Sequence, residues 1–310
     1  MIKQKKLKLI ISSLLIFSTL FSLIPAEALE YLKEPDTAKN IQNTSNQVYL
    51  VKDNDTYDIL PCRFRKAADF QSIANNTDIN TNGLESLNIS GSQQFSKNNL
   101  PILLKAIDTK LPIIDFDLRQ ESHGFINGIS ISFKNEHNNA NKGLSDSEVL
   151  QKEKEQLSSI KIGVPITFHN FPNKTITPEE VYNEEKLVSS NNIQYIRIFA
   201  TDEELPSPEV IDSFISAVKN IKKESWLHFH CKEGIGRTTS FMIFYDMMKN
   251  YNNVSAQDII TRQIELPDFD DDDINVFTSE KRIDQYNSFY NYCKKYAPDF
   301  NTKYSVYINS

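Results

Sequence analysis

The chain has 310 residues, with 34 Lys and Arg against 41 Asp and Glu, a formal net charge of −7 at pH 7 and 39% hydrophobic residues. That apolar content specifies a packed globule rather than a disordered chain, and the length suits one large domain or a domain carrying an elaboration. An acidic balance with no basic stripe argues against nucleic-acid binding, so any attraction for an anion must come from a local patch.

Residues 1–28 read as a secretory signal. Lys3, Lys5, Lys6 and Lys8 make a basic start, Leu9 to Ile24 an apolar stretch, and Ala26-Glu27-Ala28 a small-x-small cleavage site. The apolar stretch is interrupted by serines and short for a membrane span, so no stable membrane insertion is expected once the signal is cleaved after Ala28. The protein is expected to be secreted or held in the cell envelope or periplasm. Cleavage would remove four lysines and one glutamate and take the net charge from −7 to −10. Leu29 to about Ser45 is polar and expected to be disordered, and residues 46–310 are expected to form the catalytic domain.

Strand-like runs at Val48–Val51, Ile113–Phe116 and Ile129–Phe133 predict a mixed sheet with a small β elaboration within about 115–175. Caps announce helices at Ser145 with Glu148, at Thr177-Pro178 with Glu180, and at Ser255 with Asp258. A strand over Ile193 to Phe199 runs into a loop carrying Asp202, Glu203 and Glu204. A helix then opens at Ser207 as N-cap and Pro208 as first helical residue, with Val210, Ile211, Phe214, Ile215, Val218 and Ile221 on one face.

Trp226 to His230 alternate in the manner of a buried strand, and Phe241 to Met248 are apolar almost all round, as in a buried helix. Between them lies His230-Cys231-Lys232-Glu233-Gly234-Ile235-Gly236-Arg237-Thr238-Thr239. A loop at a helix N-terminus gathers anions through free N–H groups and the helix dipole. A cysteine there, beside a cation, is held as the thiolate that attacks phosphorus. Gly234 and Gly236 let the backbone turn its N–H groups inward, with Lys232, Glu233 and Ile235 completing the cradle. Arg237 offers a planar fork for two phosphoryl oxygens. Thr238 can donate to the Cys231 sulfur, and His230 orients the loop by hydrogen bonds. The loop supplies its own positive field, so neither metal nor cofactor is expected. The leaving group needs a general acid, and Asp202 is the favoured candidate over Glu203 and Glu204.

The segment from Trp226 to Thr239 resembles the bacterial cysteine phytases, protein-tyrosine-phosphatase-like inositol polyphosphate phosphatases. Thr201-Asp202 resembles their general-acid pair. Leu60-Pro61-Cys62-Arg63-Phe64-Arg65 resembles their Pro-x-x-Phe-Arg segment, Leu87 to Ser92 their Ile-Ser-Gly-Ser turn, and Asp115 to Gly124 their Asp-Leu-Arg-Gln-Glu-Ser-His-Gly block. The resemblance spans about residues 57–295. It implies an α/β cysteine-phosphatase fold, a central mixed sheet flanked by helices with a small β-barrel-like elaboration. It implies removal of phosphates from myo-inositol hexakisphosphate through a phosphocysteine, and substrate contacts by Arg65, Asp117 and Lys281. The alternative is a secreted protein tyrosine phosphatase acting on phosphoproteins.

Two departures remove positive potential. Leu266-Pro267-Asp268-Phe269-Asp270-Asp271-Asp272-Asp273-Ile274 is short and acidic where the family is aromatic and lysine-rich, and Glu203 stands where the family often carries histidine. The expected attractive patch is therefore Arg65, Arg119, Arg237 and Lys281. With Cys231 required as a thiolate, only Cys62 and Cys293 could pair, and Cys293 is favoured as a buried free thiol on the apolar face of the last helix. The five histidines show no metal-ligand spacing, and His228 is expected to be a buried, paired strand residue.

Overall fold

The computed structural model describes residues 47–310 apart from 75–77 and 268. The signal, the polar N-terminal stretch and Asp268 lie outside these residues. The fold is α/β, with a central mixed sheet flanked by helices. Strands β2 (Arg65–Lys66), β3 (Ile89–Gln93), β4 (Ile113–Asp117), β10 (Gln194–Arg197) and β11 (Trp226–Cys231) form it, in the order β10-β4-β11-β3-β2. The inner pairs are parallel and only β2 runs antiparallel. Cys231 stands opposite Gln93, and His230 opposite both Ser92 and Asp117. The carboxyl ends of β3, β4 and β11 are thus level, the edge at which open α/β sheets place their ligands.

Every residue of β11 is buried, and its alternation divides the core. Leu227, Phe229 and Cys231 pack with Phe116, Phe214, Phe241 and Phe244, supplied in part by α5 (Pro208–Asn220) and α6 (Gly236–Asn250). Trp226 packs on the other face with Phe95, with Leu100, Leu103 and Ile107 of α2 (Leu100–Ile107), and with Leu187 and Val188 of α4 (Glu184–Ser189). Period-two alternation therefore sends the Cys231 and His230 side chains to opposite faces of one strand. The helix of Gln71–Ala74 (α1) is a single short turn.

A second sheet, β1 (Tyr49–Asn54), β6 (Ile129–Lys134), β5 (His123–Ile126) and β9 (Val181–Tyr182), is antiparallel in that linear order, with the ribbon of β7 (Ile166–Phe168) and β8 (Phe171–Ile176) beside it. The elaboration draws on 49–54 and 181–182 as well as on the stretch around 115–175. Helix α3 (Asp146–Ser159) opens with the Ser145–Glu148 capping box. Ser207 caps α5, and Ser255 caps α7 (Ala256–Glu265).

The helix signalled at Thr177-Pro178 does not form. Asn127 clasps that segment: its amide donates to the Thr177 carbonyl (2.9 Å), and its side-chain oxygen accepts from the Glu179 N–H (2.7 Å). Val181 and Tyr182 then pair with β5, and the helix begins at Glu184 with Asn183 accepting from the Lys186 N–H. The acidic run becomes α8 (Asp271–Phe277), with Asp270 as its N-cap. Helix α9 (Glu280–Tyr296) and the short α10 (Tyr304–Tyr307) complete the chain. Among the described residues no helix is long and apolar enough to cross a membrane.

Candidate active site

The loop from Lys232 to Ile235 joins β11 to α6, so a strand end and a helix start fix both of its ends. Cys231 is buried, and its Sγ accepts from the Gly234 N–H (3.3 Å) and from Thr238 Oγ1 (3.2 Å). Both donors stabilise negative charge on sulfur. Gly234 has φ +76°, and a Cβ there would lie 2.4 Å from the Gln93 nitrogen and 2.6 Å from the Ser92 carbonyl carbon. Gly236 differs from expectation. It is the first residue of α6 and has no positive φ; a Cβ would meet only Val276 Cγ1, at 3.9 Å. The turn needs one glycine, not two.

Arg237 is buried and anchored along one edge. Its Nη1 donates to Glu121 Oε2 (2.6 Å) and to the carbonyls of Ala200 and Leu118, while Nη2 donates to Glu121 Oε1 (3.1 Å). The other edge is open to a second acceptor. Nη2 lies 3.0 Å from Asp202 Oδ1, and Nε is buried with no hydrogen-bond partner among the described residues. Asp202 Oδ2 accepts from Asn138 Nδ2 (2.7 Å), and Glu203 takes a left-handed φ of +60° just after it. Cys231, Thr238, Arg237 and Asp202 are therefore one constellation. Lys232 and Glu233 pair with each other at 2.9 Å on its rim.

His230 lies behind the loop. Its ring is buried, 2.8 Å from Glu184 and 3.4 Å from Asp115 through Nε2. Burial opposes charging, but these carboxylates outweigh it and hold the imidazole well above its usual range. His123 repeats the arrangement with Asp117 (3.2 Å) and the other oxygen of Glu184 (3.2 Å). Burial again opposes its charging, and Asp117 raises it to about 9. Burial pushes Asp115 up to about 7. His228 is held neutral, its pKa lowered first by burial and then by the neighbouring His230 and Arg65 charges, with its ring paired to the Ser90 and Ser92 hydroxyls.

The Asp115, Glu184, His230 and Asp117, His123, Glu184 groups are each close enough to hold a metal ion. Sequence spacing gave no sign of them because three distant segments supply the atoms. Arg197 also pairs with Asp117 (3.2 Å) and with Glu153 (2.8 Å), so an extended network of cations balances the carboxylates.

Two residues expected at the substrate are held by the loops and strands around it. Arg65 is buried and donates to the carbonyls of Arg63 (2.9 Å) and Gly234 (3.0 Å) and to Thr239 Oγ1 (2.8 Å). Asp117 is wholly buried, accepting from Tyr195 Oη (2.6 Å) and the Arg119 N–H (3.0 Å). Lys281 is exposed in the first turn of α9, whose Arg282 ties it to Ser240 of α6. Of the expected attractive patch, Arg119 is fully buried between Asp53 and Glu121, whereas Arg65 and Arg237 are buried at the phosphate loop itself. Cys62 is exposed, Cys293 is buried, and both are free.

Sequence reasoning assigned no role to Glu121, Glu184, Asn138 or Arg63. Glu121 lies in the Asp115–Gly124 block, where an acid two residues after an arginine was the available signal. For Glu184 there was none.

A sequence model of the family described as PTP-like phytase, inositol hexakisphosphate, matches residues 116–249. Effector protein hopD2 of Pseudomonas syringae pv. tomato is 30% identical over 214 residues, covering 65% of this chain and 46% of that protein. Among solved structures, the PTP-like myo-inositol phosphatase of Mitsuokella multacida, in complex with myo-inositol-(1,3,4,5)-tetrakisphosphate, superposes with TM-score 0.75 at 29% identity, covering 85% of this chain and 48% of that one. A PTP-like phytase of Bdellovibrio bacteriovorus gives TM-score 0.70 at 30% identity, covering 85% of this chain and 95% of that one. The chain thus spans about half the length of hopD2 and of the Mitsuokella protein.

Proposed function

Because the chain belongs to the PTP-like phytase family, we propose that it is a phosphomonoesterase hydrolysing myo-inositol polyphosphates through a phosphocysteine, with no metal in the reaction. The observation that carries this is the half-open edge of Arg237: a buried, unpartnered Nε beside an Nη2 whose outward partner is Asp202, next to a sulfur that already accepts two hydrogen bonds. A phosphoryl group seated there receives two donors side-on from Arg237 and the loop N–H groups.

Cys231 Sγ attacks phosphorus, the bond to the departing inositol oxygen breaks, and Asp202 gives that oxygen its proton. Water then attacks the phosphocysteine and yields a proton to the Asp202 carboxylate. The phosphorus–sulfur bond breaks, and the sulfur returns to the hydrogen bonds of Thr238 and Gly234. Asp202 and a phosphoryl oxygen compete for Arg237 Nη2, so substrate arrival frees the Asp202 side chain to take up a proton from solvent and carry it to the leaving group. His230 holds the strand behind the nucleophile without touching substrate. Residues 1–28 support export as the setting, with cleavage after Ala28.

The test is phosphate release from phytate, and from phosphotyrosine peptides, with a chelator present and Cys231→Ser alongside. Release from phytate that the chelator spares and Cys231→Ser abolishes is the expected result. Turnover of the peptides alone would select the protein tyrosine phosphatase alternative, and loss of activity to the chelator would overturn the metal-free mechanism.

A further inference from the structure

With Arg65 buried, the cation of the Pro61–Arg65 segment that reaches solvent is the half-buried Arg63. Its backbone is left-handed, φ +57°, a conformation that residues with a Cβ adopt only when their surroundings impose it. The imposing contact is visible: Arg65 donates to the Arg63 carbonyl and to the Gly234 carbonyl, strapping the segment to the phosphate loop. The Arg63 side chain lies over the loop as a result, with Nη1 donating to the Glu233 carbonyl (3.3 Å) and about a third of its surface open.

Helix α8 lies against the same place. A Cβ on Gly236 would come within 3.9 Å of Val276, the Phe269 ring lies 5.5 Å from the Arg65 guanidinium, and Asp273 pairs with Arg63 Nη2 at 3.5 Å. Asp273 of the acidic run therefore faces the loop. Other basic side chains beside the site lie against carboxylates as well: Lys232 has Glu233, and on the acid's own loop Glu204 holds Lys142 and Glu203 lies 3.6 Å from His137.

We propose that Arg63 and Asp273 are a specificity pair: Arg63 takes a second phosphate of a polyphosphorylated substrate, and Asp273 competes for it. The site then favours sparsely phosphorylated inositols over the hexakisphosphate. This rests on the phosphatase reading above and fixes the substrate class within it. A hexakisphosphate brings its excess charge to a rim where each second phosphate must displace a carboxylate, whereas an ester with few phosphates meets only the loop and Arg237.

The experiment compares kcat/KM for myo-inositol hexakisphosphate with that for a myo-inositol trisphosphate, at low and high salt. Asp273→Asn should raise the ratio roughly threefold at low salt, the scale of one partly exposed ion pair, and less at high salt. Arg63→Asn, chosen because asparagine tolerates the left-handed backbone, should lower the ratio and remove the effect of Asp273→Asn in the double variant. Glu224→Gln, before the start of β11 and so about 20 Å from the loop by strand length, makes the same charge change and should leave the ratio alone. An unchanged ratio in Asp273→Asn, or an equal rise in Glu224→Gln, would overturn the pair. If the unaltered protein releases phosphate from no ester, the phosphatase reading falls and takes this inference with it.

Discussion

Glu121→Gln tests whether the clamp is positioned from behind. Three hydrogen bonds converge on this carboxylate, from Arg119 Nε at 2.8 Å and from Arg237 at 2.6 and 3.1 Å, and its side chain is wholly buried. Burial opposes its ionisation, but the Arg237 and Arg119 charges outweigh that and hold its pKa far below the usual carboxylate range. Glutamine keeps the shape and one acceptor, but removes the charge and sets an amide N–H₂ against a guanidinium. Breaking a buried pair on one side destabilises by about 3–5 kcal/mol; the retained acceptor places this variant near the lower figure. At about 2–4 °C per kcal/mol for a chain of this size, the melting temperature should fall by roughly 6–12 °C. Arg237 keeps Asp202 and two carbonyls as partners and swings toward them, and a misplacement of about 1 Å is worth about a hundredfold in turnover. Thermal melts and kcat on p-nitrophenyl phosphate and phytate, measured well below the melting point, provide the assay. Depressed carboxylates contribute stability above their unfolded pKa and lose it as pH falls, so the variant should also lose less stability on acidification than the parent. A variant melting within 1 °C of the parent and turning over within threefold would refute the argument.

Asp202→Asn should slow phytate about a hundredfold, the scale of general acid catalysis, and p-nitrophenyl phosphate much less, because that leaving group needs no proton; equal losses on both would remove Asp202 from the role. Gly234→Ala should lose both stability and activity, since φ +76° alone disfavours a Cβ by about 1–2 kcal/mol and the new atom strikes backbone. Gly236→Ala should lose far less, and equal effects would show that the close approach does not matter. His123 rises from 6.5 to about 9 in the folded chain, which corresponds to about 3 kcal/mol. Its contribution is fully present below pH 6.5 and fades as pH rises through 9. Stability measured by denaturant between pH 6.5 and 9 should therefore decline in the parent and decline less in His123→Gln; parallel slopes would contradict the pairing.

The nucleophile loop was legible because one contiguous segment makes it: strand, glycine turn and helix start follow in order, and local rules suffice. The caps at Ser145, Ser207 and Ser255 were legible for the same reason. Thr177 misled because its competitor, Asn127, lies 50 residues away and offers the backbone a different set of partners. Arg65 and Asp117 were noticed, but their burial was not, since an arginine with good partners in a packed interior has the same sequence signature as one on a rim. Glu184 was invisible because its two histidines come from different strands of different sheets.

The return of the chain to Glu184 carries a lesson for anyone trimming this protein. After leaving β4 at Asp117, the backbone travels through the elaboration before it re-enters the central sheet at β10, and the outbound and homeward ends of that excursion supply His123 and Glu184. An apparent appendage is thus a fastener for the floor beneath the nucleophile. Its outer ribbon is exposed along Phe171 to Thr175 and takes no part in that fastening. Excision at the neck would uncouple His230 from its counter-charge and leave a catalytic loop with correct letters and a loose foundation.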